Sequence, residues 1–482
     1  MEQSKGQFNS NFGFLMAALG SAVGLGNLWS FPYKMGLGGG FTFLVIYLIL
    51  LVAVGYPLVL SEIAIGRKSE KAAIESFRDI HSGFTFNGVL QTAVPFFLIA
   101  FYCTFGGFVI KYFVQSLGMF AGKQFDPEPN FVAGTLQNLN SVVYVLIFLA
   151  LTVIIVIGGV SSGIEKFCKI AMPALFIMLV IVVIRSCTLD NAAGGLEFLF
   201  KPNLDAMRSP ETGKIIAYGN FTDADGNVVS YGFLSVLKLA GSQMFFSLSL
   251  ASGCLIAYGS YLSKNENLEK DALYISIGDT VAALLAGLAI MPACAAYGIP
   301  FTKSAGLLFI AMPTVFNNMP GGALFAAIFW LLVFFACLSS SIGMMEGGIS
   351  AILDRRIKAG KSASRLKVTL MMGAWALLGN LFTTLDGLGA RETFSWFRPF
   401  GIPSVLDFWD VLAEGLLMPF TGLIMAILIG WIVPHYIDDE VELSSSFRSK
   451  AFYTFCIKWI GPVLMALVIF GQLSSIFFTR SV

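Results

Sequence analysis

Eleven stretches of this chain stay apolar over the length needed to cross the roughly 30 Å hydrocarbon layer of a bilayer. They fall near 11–34, 41–66, 88–121, 141–158, 165–187, 231–260, 273–297, 321–352, 367–384, 403–433 and 450–476. Lipid offers no partners to backbone N–H and C=O groups, so each run must be a helix. The chain therefore reads as an all-α polytopic membrane protein with eleven transmembrane helices. Composition agrees: 56% of the 482 residues are hydrophobic and 12% are charged, about half the charged share of a soluble domain. The seven cysteines show no paired spacing and there are two histidines in all, so a disulfide framework, a zinc site or a histidine-based catalytic centre is not expected. The polar first ten residues, followed by an overlong apolar run, do not read as a cleavable signal.

Basic residues gather in the loops "GRKSEKAAIESFRD", "EKFCK" and "LDRRIKAGKSASRLK", which share one side of the membrane. The positive-inside rule puts that side, and the N-terminus, in the cytoplasm. Eleven crossings leave the "RSV" C-terminus outside. The polar stretch 188–230 becomes the largest external loop, and its "TDADGN" marks a turn of the kind found in hairpins.

Two runs are interrupted. The first carries "GSAVGLGNLWSFPYK", Gly20 to Lys34, and the sixth carries small residues at mid-depth: Ser247, Ser249, Ala251, Ser252 and Gly253. These runs open two consecutive groups of five, the pattern of an inverted-repeat transporter with its site at the bilayer midplane. Small residues can also serve close helix packing, but their recurrence five spans apart favours the transporter reading. An unwound turn frees backbone groups that only a cavity holding ions or a polar ligand can satisfy. Gly24 and Gly26 allow non-helical dihedrals and close approach. Free N–H groups of the following half-helix suit a carboxylate, and carbonyls ending the preceding one suit Na⁺ or an ammonium.

"GSAVGLGNLWSFPY" followed by "GGG", then "SSGIEKFCKIAMPALF", "SQMFFSLSLASG" and "FFACLSSSIG", together resemble the neurotransmitter:sodium symporter family over nearly the whole chain, with bacterial amino-acid members such as the leucine transporter nearest in pattern. The resemblance implies two inverted five-helix repeats, 1–187 and 231–433, with unwound spans 1 and 6, an extracellular loop 188–230 and a last span within 434–482. It implies a sodium-coupled importer in a bacterial plasma membrane, working by alternating access and using Na⁺ at two sites. The first site would use Ala22, Asn27, Ser247 and Asp279; the second, Gly20, Val23, Ala336, Ser339 and Ser340. Animal relatives place Asn at the position of Asp279 and borrow a chloride ion, so Asp279 implies chloride independence; the position four residues on is Ala283.

By the same resemblance the substrate is an amino acid. Its carboxylate would meet Leu25, Gly26 and Tyr102, and its ammonium Ala22, Phe246, Ser247 and Ser249. The side chain would lie among Leu98, Phe246, Ser252, Ser340 and Met344; the small Ser252 and adaptable Met344 suit a large hydrophobic or aromatic group. Lys5 and Asp354 match an inner ion pair braced by Tyr261, with Phe8 in place of the usual Trp. Outside, Ser30 stands where relatives carry Arg. Lys34, one turn on, is expected to replace it against Asp410, which aligns better than Asp407. Glu62 would hydrogen-bond the unwound part of span 1, or carry a proton. Nothing suggests a nucleic-acid partner or an enzyme; the lipid bilayer is the one macroscopic partner, and the oligomeric state is open. A sensor or channel on the same scaffold is the alternative function.

Overall fold

The computed structural model describes residues 6–125, 139–222, 228–301, 306–386 and 404–477, together with 394, 396, 399 and 402. Helix forms in every one of the eleven apolar runs. Among the described residues, eight helices are long and apolar enough to cross a membrane, and a ninth span is the bent pair Asn11–Ala22 and Gly26–Leu37, inclined at 47° to each other. The fourth run forms Leu139–Ile157, and the sixth forms Phe233–Ser247 and Cys254–Gly259 with a break between them. Lys5, the centre of the expected turn at 223–227 and the C-terminal "RSV" lie outside the described residues. On either side of that turn, Gly219–Thr222 and Val228–Tyr231 pair as antiparallel strands, with Gly219 opposite Tyr231.

Proline shapes several spans. The wide π-turns Gly26–Ser30, Leu51–Gly55, Leu307–Ala311, Val411–Leu417 and Cys456–Ile460 are each followed, two residues on, by a proline: Pro32, Pro57, Pro313, Pro419 and Pro462. A proline ring in a helix collides with the carbonyl four residues back and has no N–H to give it. Inserting an extra residue in the preceding turn moves that carbonyl aside.

Burial orders the spans. Span 1 is central: every residue from Ala17 to Pro32 is buried, between spans 5 (Val160–Cys187), 7 (Leu268–Ala296) and 8 (Gly322–Lys358). Span 3 (Ser82–Met119) runs along spans 8 and 9 (Arg365–Leu385). Its most apolar stretch is 78% buried, against 33% for span 5 and for the last span, Lys450–Ser474. The two broken spans thus meet in the interior, while the periphery leaves large apolar side chains such as Ile154, Ile170 and Val463 exposed, as lipid contact requires.

Candidate functional site

The first break begins where Ala22 ends its helix and Val23 turns extended (φ −75°, ψ 98°). Neither Gly24 nor Gly26 adopts a positive φ; what glycine supplies here is space. A Cβ on Gly24 would lie 2.2 Å from the Ser340 hydroxyl oxygen and 2.6 Å from that of Tyr102, and one on Gly26 would lie 3.2 Å from the Ser247 Cα. The break is stitched by side chains. The Gly24 N–H donates to Asn27 Oδ1 (3.0 Å), the Leu25 N–H to the Tyr102 hydroxyl (3.1 Å), and Gln243 Nε2 to the Gly26 carbonyl (2.7 Å).

The second break lies between Ser247 and Cys254. Ser249, Ala251 and Gly253 take φ of 52°, 53° and 71° there, a region that L side chains enter at a cost. Ala251 is held from both sides: its N–H donates to Glu62 Oε1 at 2.6 Å, and its carbonyl accepts from the Thr421 hydroxyl at 3.1 Å. Glu62 therefore holds the break of span 6, which corrects the expectation that it holds span 1. Span 2 carries Glu62 on the helix packed along Cys254–Gly259, so the backbone N–H within reach is the one from the sixth span. The Ser249 hydroxyl donates to the Ser21 carbonyl at 2.9 Å and links the two breaks.

Asp279 sits between them, fully buried in span 7. It accepts from Asn27 Nδ2 at 2.8 Å, from the Ser247 hydroxyl at 2.9 and 3.0 Å, and from the Tyr47 hydroxyl at 3.4 Å. Asn27, Ser247 and Asp279 thus converge, while Ala22, at the end of its helix, lines the cavity between the breaks. Toward span 8, the Ser340 hydroxyl lies 3.1 Å from the Gly20 carbonyl and 3.4 Å from that of Val23, while the Ser339 hydroxyl lies 3.1 Å from the Ala336 carbonyl. The Ser339 hydroxyl also bonds back to the Phe335 carbonyl at 2.9 Å, within its own helix, and a Cβ on Gly20 would stand 3.0 Å from that of Ser339, so Ser340 is the residue whose hydroxyl joins the two spans. Oxygen donors of this kind suit a hard cation.

Between the breaks lies a cavity of about 10 Å³, lined by Ser21, Ala22, Gly24, Gly26, Leu98, Tyr102, Phe246, Ser249, Ser340 and Met344. Three residues expected in contact with a substrate are not in its lining. Leu25 has its N–H on Tyr102, and Ser247 turns to Asp279. The Ser252 hydroxyl bends back to the Ser249 carbonyl at 2.5 Å, so Ser252 adds no room to the cavity.

A second cavity, of about 170 Å³, lies toward the other end of the Gly26–Leu37 half-helix, among Trp29, Ser30, Lys34, Lys238, Asp407, Asp410 and Glu414. Lys34 Nζ is paired with the Glu414 carboxylate and donates to the Ser242 hydroxyl at 3.3 Å. The acid in direct contact with Lys34 is thus Glu414, a turn further along span 10 than Asp410, which lines the same cavity. Helical side chains lean toward the N-terminus of their helix, which brings the Lys34 ammonium within reach of Glu414. Both partners are nearly buried, so removing one would leave an uncompensated charge, at about 3–5 kcal/mol.

At the opposite end, Tyr261 donates to Glu346 Oε1 at 2.8 Å, and Arg365 closes a two-pronged clamp on the same carboxylate. Asp354 accepts from the Ala72 N–H at 2.7 Å. Glu346 is fully buried, and a buried carboxylate draws every donor within reach. Phe8 packs its ring edge-on to Phe14, Tyr258 and Tyr261 at 5.6, 5.9 and 6.4 Å. Sequence reasoning missed Glu346 and Glu414, although an acid inside an apolar run is the signal that singled out Asp279 and Glu62.

The comparisons with known proteins agree with this architecture. Residues 5–123 and 234–479 match the Sodium:neurotransmitter symporter family. An uncharacterized sodium-dependent transporter of Bacillus subtilis, YhdH, is 30% identical over 474 residues, 97% of each chain. One of Haemophilus influenzae is 31% identical over 485 residues, 97% of this chain and 98% of the relative. Among solved structures, MhsT in complex with L-phenylalanine superposes with a TM-score of 0.84 at 29% identity, covering 97% of this chain and 100% of MhsT. With two broken helices around a buried acid, and relatives that are transporters rather than enzymes over their full length, the chain belongs to the sodium:neurotransmitter symporter family and is a multi-pass, sodium-dependent membrane transporter.

Proposed function

We propose that this protein imports a hydrophobic or aromatic amino acid together with Na⁺ bound at two sites, without chloride. The observation that carries the reading is the convergence of Asn27, Ser247 and the Asp279 carboxylate beside a cavity walled by both breaks. Asp279 supplies a fixed negative charge among Asn27, Ser247 and Tyr47, and a chloride ion is then not needed to balance a cation. The oxygens of Gly20, Val23, Ala336, Ser339 and Ser340 would hold the second Na⁺, a reading supported by the Ser340 hydroxyl that bonds across to the Gly20 and Val23 carbonyls of span 1. Leu98, Phe246 and Met344 give the cavity an apolar side, and the L-phenylalanine bound to MhsT supports an amino-acid substrate with an apolar side chain.

The space available holds about one water, so an amino acid enters only when the walls part. The repeats 1–187 and 231–433 would supply the motion, with spans 1, 2, 6 and 7 rocking against the rest. The Lys34–Glu414 pair would close the route outside and the Glu346–Arg365–Tyr261 cluster the route inside. Coupling follows because ion and substrate share one set of ligands around both breaks. The membrane would be the bacterial plasma membrane, with the N-terminus in the cytoplasm.

The test is uptake of radiolabelled amino acids into proteoliposomes under an inward Na⁺ gradient, with K⁺ replacing Na⁺, and with and without chloride. Sodium-driven accumulation of an apolar amino acid in chloride-free buffer is expected. Under the same conditions Asp279→Asn should lose most uptake and regain part of it when chloride is added. A chloride requirement in the unaltered protein would overturn the role given to Asp279. Binding without accumulation would make the protein a sensor.

A further inference from the structure

Asn380 lies in span 9 and is fully buried. Its Oδ1 accepts from the Thr104 N–H at 2.6 Å and from the Thr104 hydroxyl at 3.0 Å; its Nδ2 donates to the Ile99 carbonyl at 2.6 Å and to the Ala376 carbonyl at 2.7 Å. Those bonds use both lone pairs and both hydrogens of the amide. They also fix which end is which, since the NH₂ faces two carbonyls and the oxygen faces an N–H. The Thr104 hydroxyl in turn meets that of Thr384 at 3.0 Å.

Ile99 and Thr104 bracket Tyr102 on span 3, and the Tyr102 hydroxyl reaches across the cavity to the Leu25 N–H in the span 1 break. Next to Asn380, Gly379 brings the two helix backbones into contact. A Cβ there would lie 2.4 Å from the Ala100 Cβ and 2.8 Å from the Ala100 carbonyl oxygen. Span 9 therefore grips the span 3 backbone at the level of Tyr102, through one side chain that takes a carbonyl before it and an N–H after it. A buried Asn that merely glues two helices needs neither that level nor that bracket. A small rotation of span 3 would move a phenol at the end of a long ring by more than it moves the backbone, and a slide would move it just as far.

We propose that Asn380 is a positioning residue for substrate recognition: by fixing the height and rotation of span 3, it holds the Tyr102 hydroxyl where the substrate and the span 1 break meet. This rests on the reading that Tyr102 contacts the substrate. Asn380 itself lies behind span 3 and does not line the cavity.

A double-mutant cycle separates this from a structural role. Substrate affinity is measured at saturating Na⁺ on purified full-length protein for Asn380→Ala, Tyr102→Phe and the pair, with the substrate-free melting temperature recorded in parallel. Each single substitution should weaken binding about tenfold, and the double variant should be no weaker than the weaker single one, because both remove the same placed hydroxyl. Losses that multiply in the double variant overturn the proposal. Unchanged affinity in Tyr102→Phe alone overturns the reading of Tyr102, and the proposal with it. If Asn380→Ala does not fold, Thr104→Val removes one partner of the amide. An affinity loss of about two- to threefold is expected for it, vanishing in the Tyr102→Phe background; a loss that persists there refutes the idea.

Discussion

The break in span 1 keeps to negative φ and depends on empty space at Gly24 and Gly26, whereas the break in span 6 turns through left-handed backbone at Ser249 and Ala251 and is held by side chains from spans 2 and 10. Both interruptions free backbone groups in the interior, and both face one cavity. The difference lies in what makes each possible. The first is limited by sterics, so one added methyl group should be ruinous. The second carries backbone strain of about 1–2 kcal/mol per left-handed residue, offset by the hydrogen bonds of Glu62 and Thr421. Broken helices that look alike in sequence can thus respond oppositely to substitutions between Gly and Ala.

The largest effect that would test this contrast is Gly24→Ala. The new methyl group would sit within 2.6 Å of two hydroxyl oxygens, and overpacking of that kind costs about 1–3 kcal/mol. Substrate binding should fall at least about tenfold, from the same strain, while circular dichroism shows an intact helical fold. Binding that survives unchanged would mean that the first break is not limited by space.

An intermediate effect is expected at Glu62. Glu62→Ala leaves the Ala251 N–H without its acceptor, at about 1–3 kcal/mol, and should lower the thermal unfolding midpoint in detergent. Glu62→Gln keeps an amide oxygen for the same N–H and should lose less. Equal losses in the two variants would show that charge, rather than the hydrogen bond, holds the second break.

The smallest effect should have the opposite sign. Ala251→Gly relieves a left-handed residue but frees the unfolded chain, and the two terms nearly cancel, leaving about 0.5 kcal/mol in favour of the variant. An unfolding midpoint that holds or rises slightly is expected. A clear fall would place the strain of the second break elsewhere.

Much of the site was legible because the sequence carries signals that a membrane sharpens. An acid within an apolar run stands out, and Asp279 is found among Asn27, Ser247 and Tyr47. Glu62 stood out equally, yet its partner was misassigned, because the sequence marks a buried acid without saying which of two frayed helices lies beside it. Lys34 was placed on the correct face but one turn short of its acid. The prolines that mark the wide turns were in plain view, as in "EGLLMPF" before Pro419, but went unread.

Sequence alone determined that the chain must cross a bilayer many times as helices, and it pointed to the first and sixth runs as the ones that break. Apolar length leaves the backbone no alternative to helix where water is absent, and small polar residues recurring five spans apart mark where that helix opens. It also marked a turn at "TDADGN", since turn chemistry is local, and the strands on either side of it pair. Only the tertiary structure decided that Lys34 meets Glu414, that Tyr261 serves Glu346 and that Asn380 grips span 3 around Tyr102. Those choices depend on the relative height and rotation of helices distant in sequence. Such offsets are set by packing over the whole interface, so no single segment encodes them.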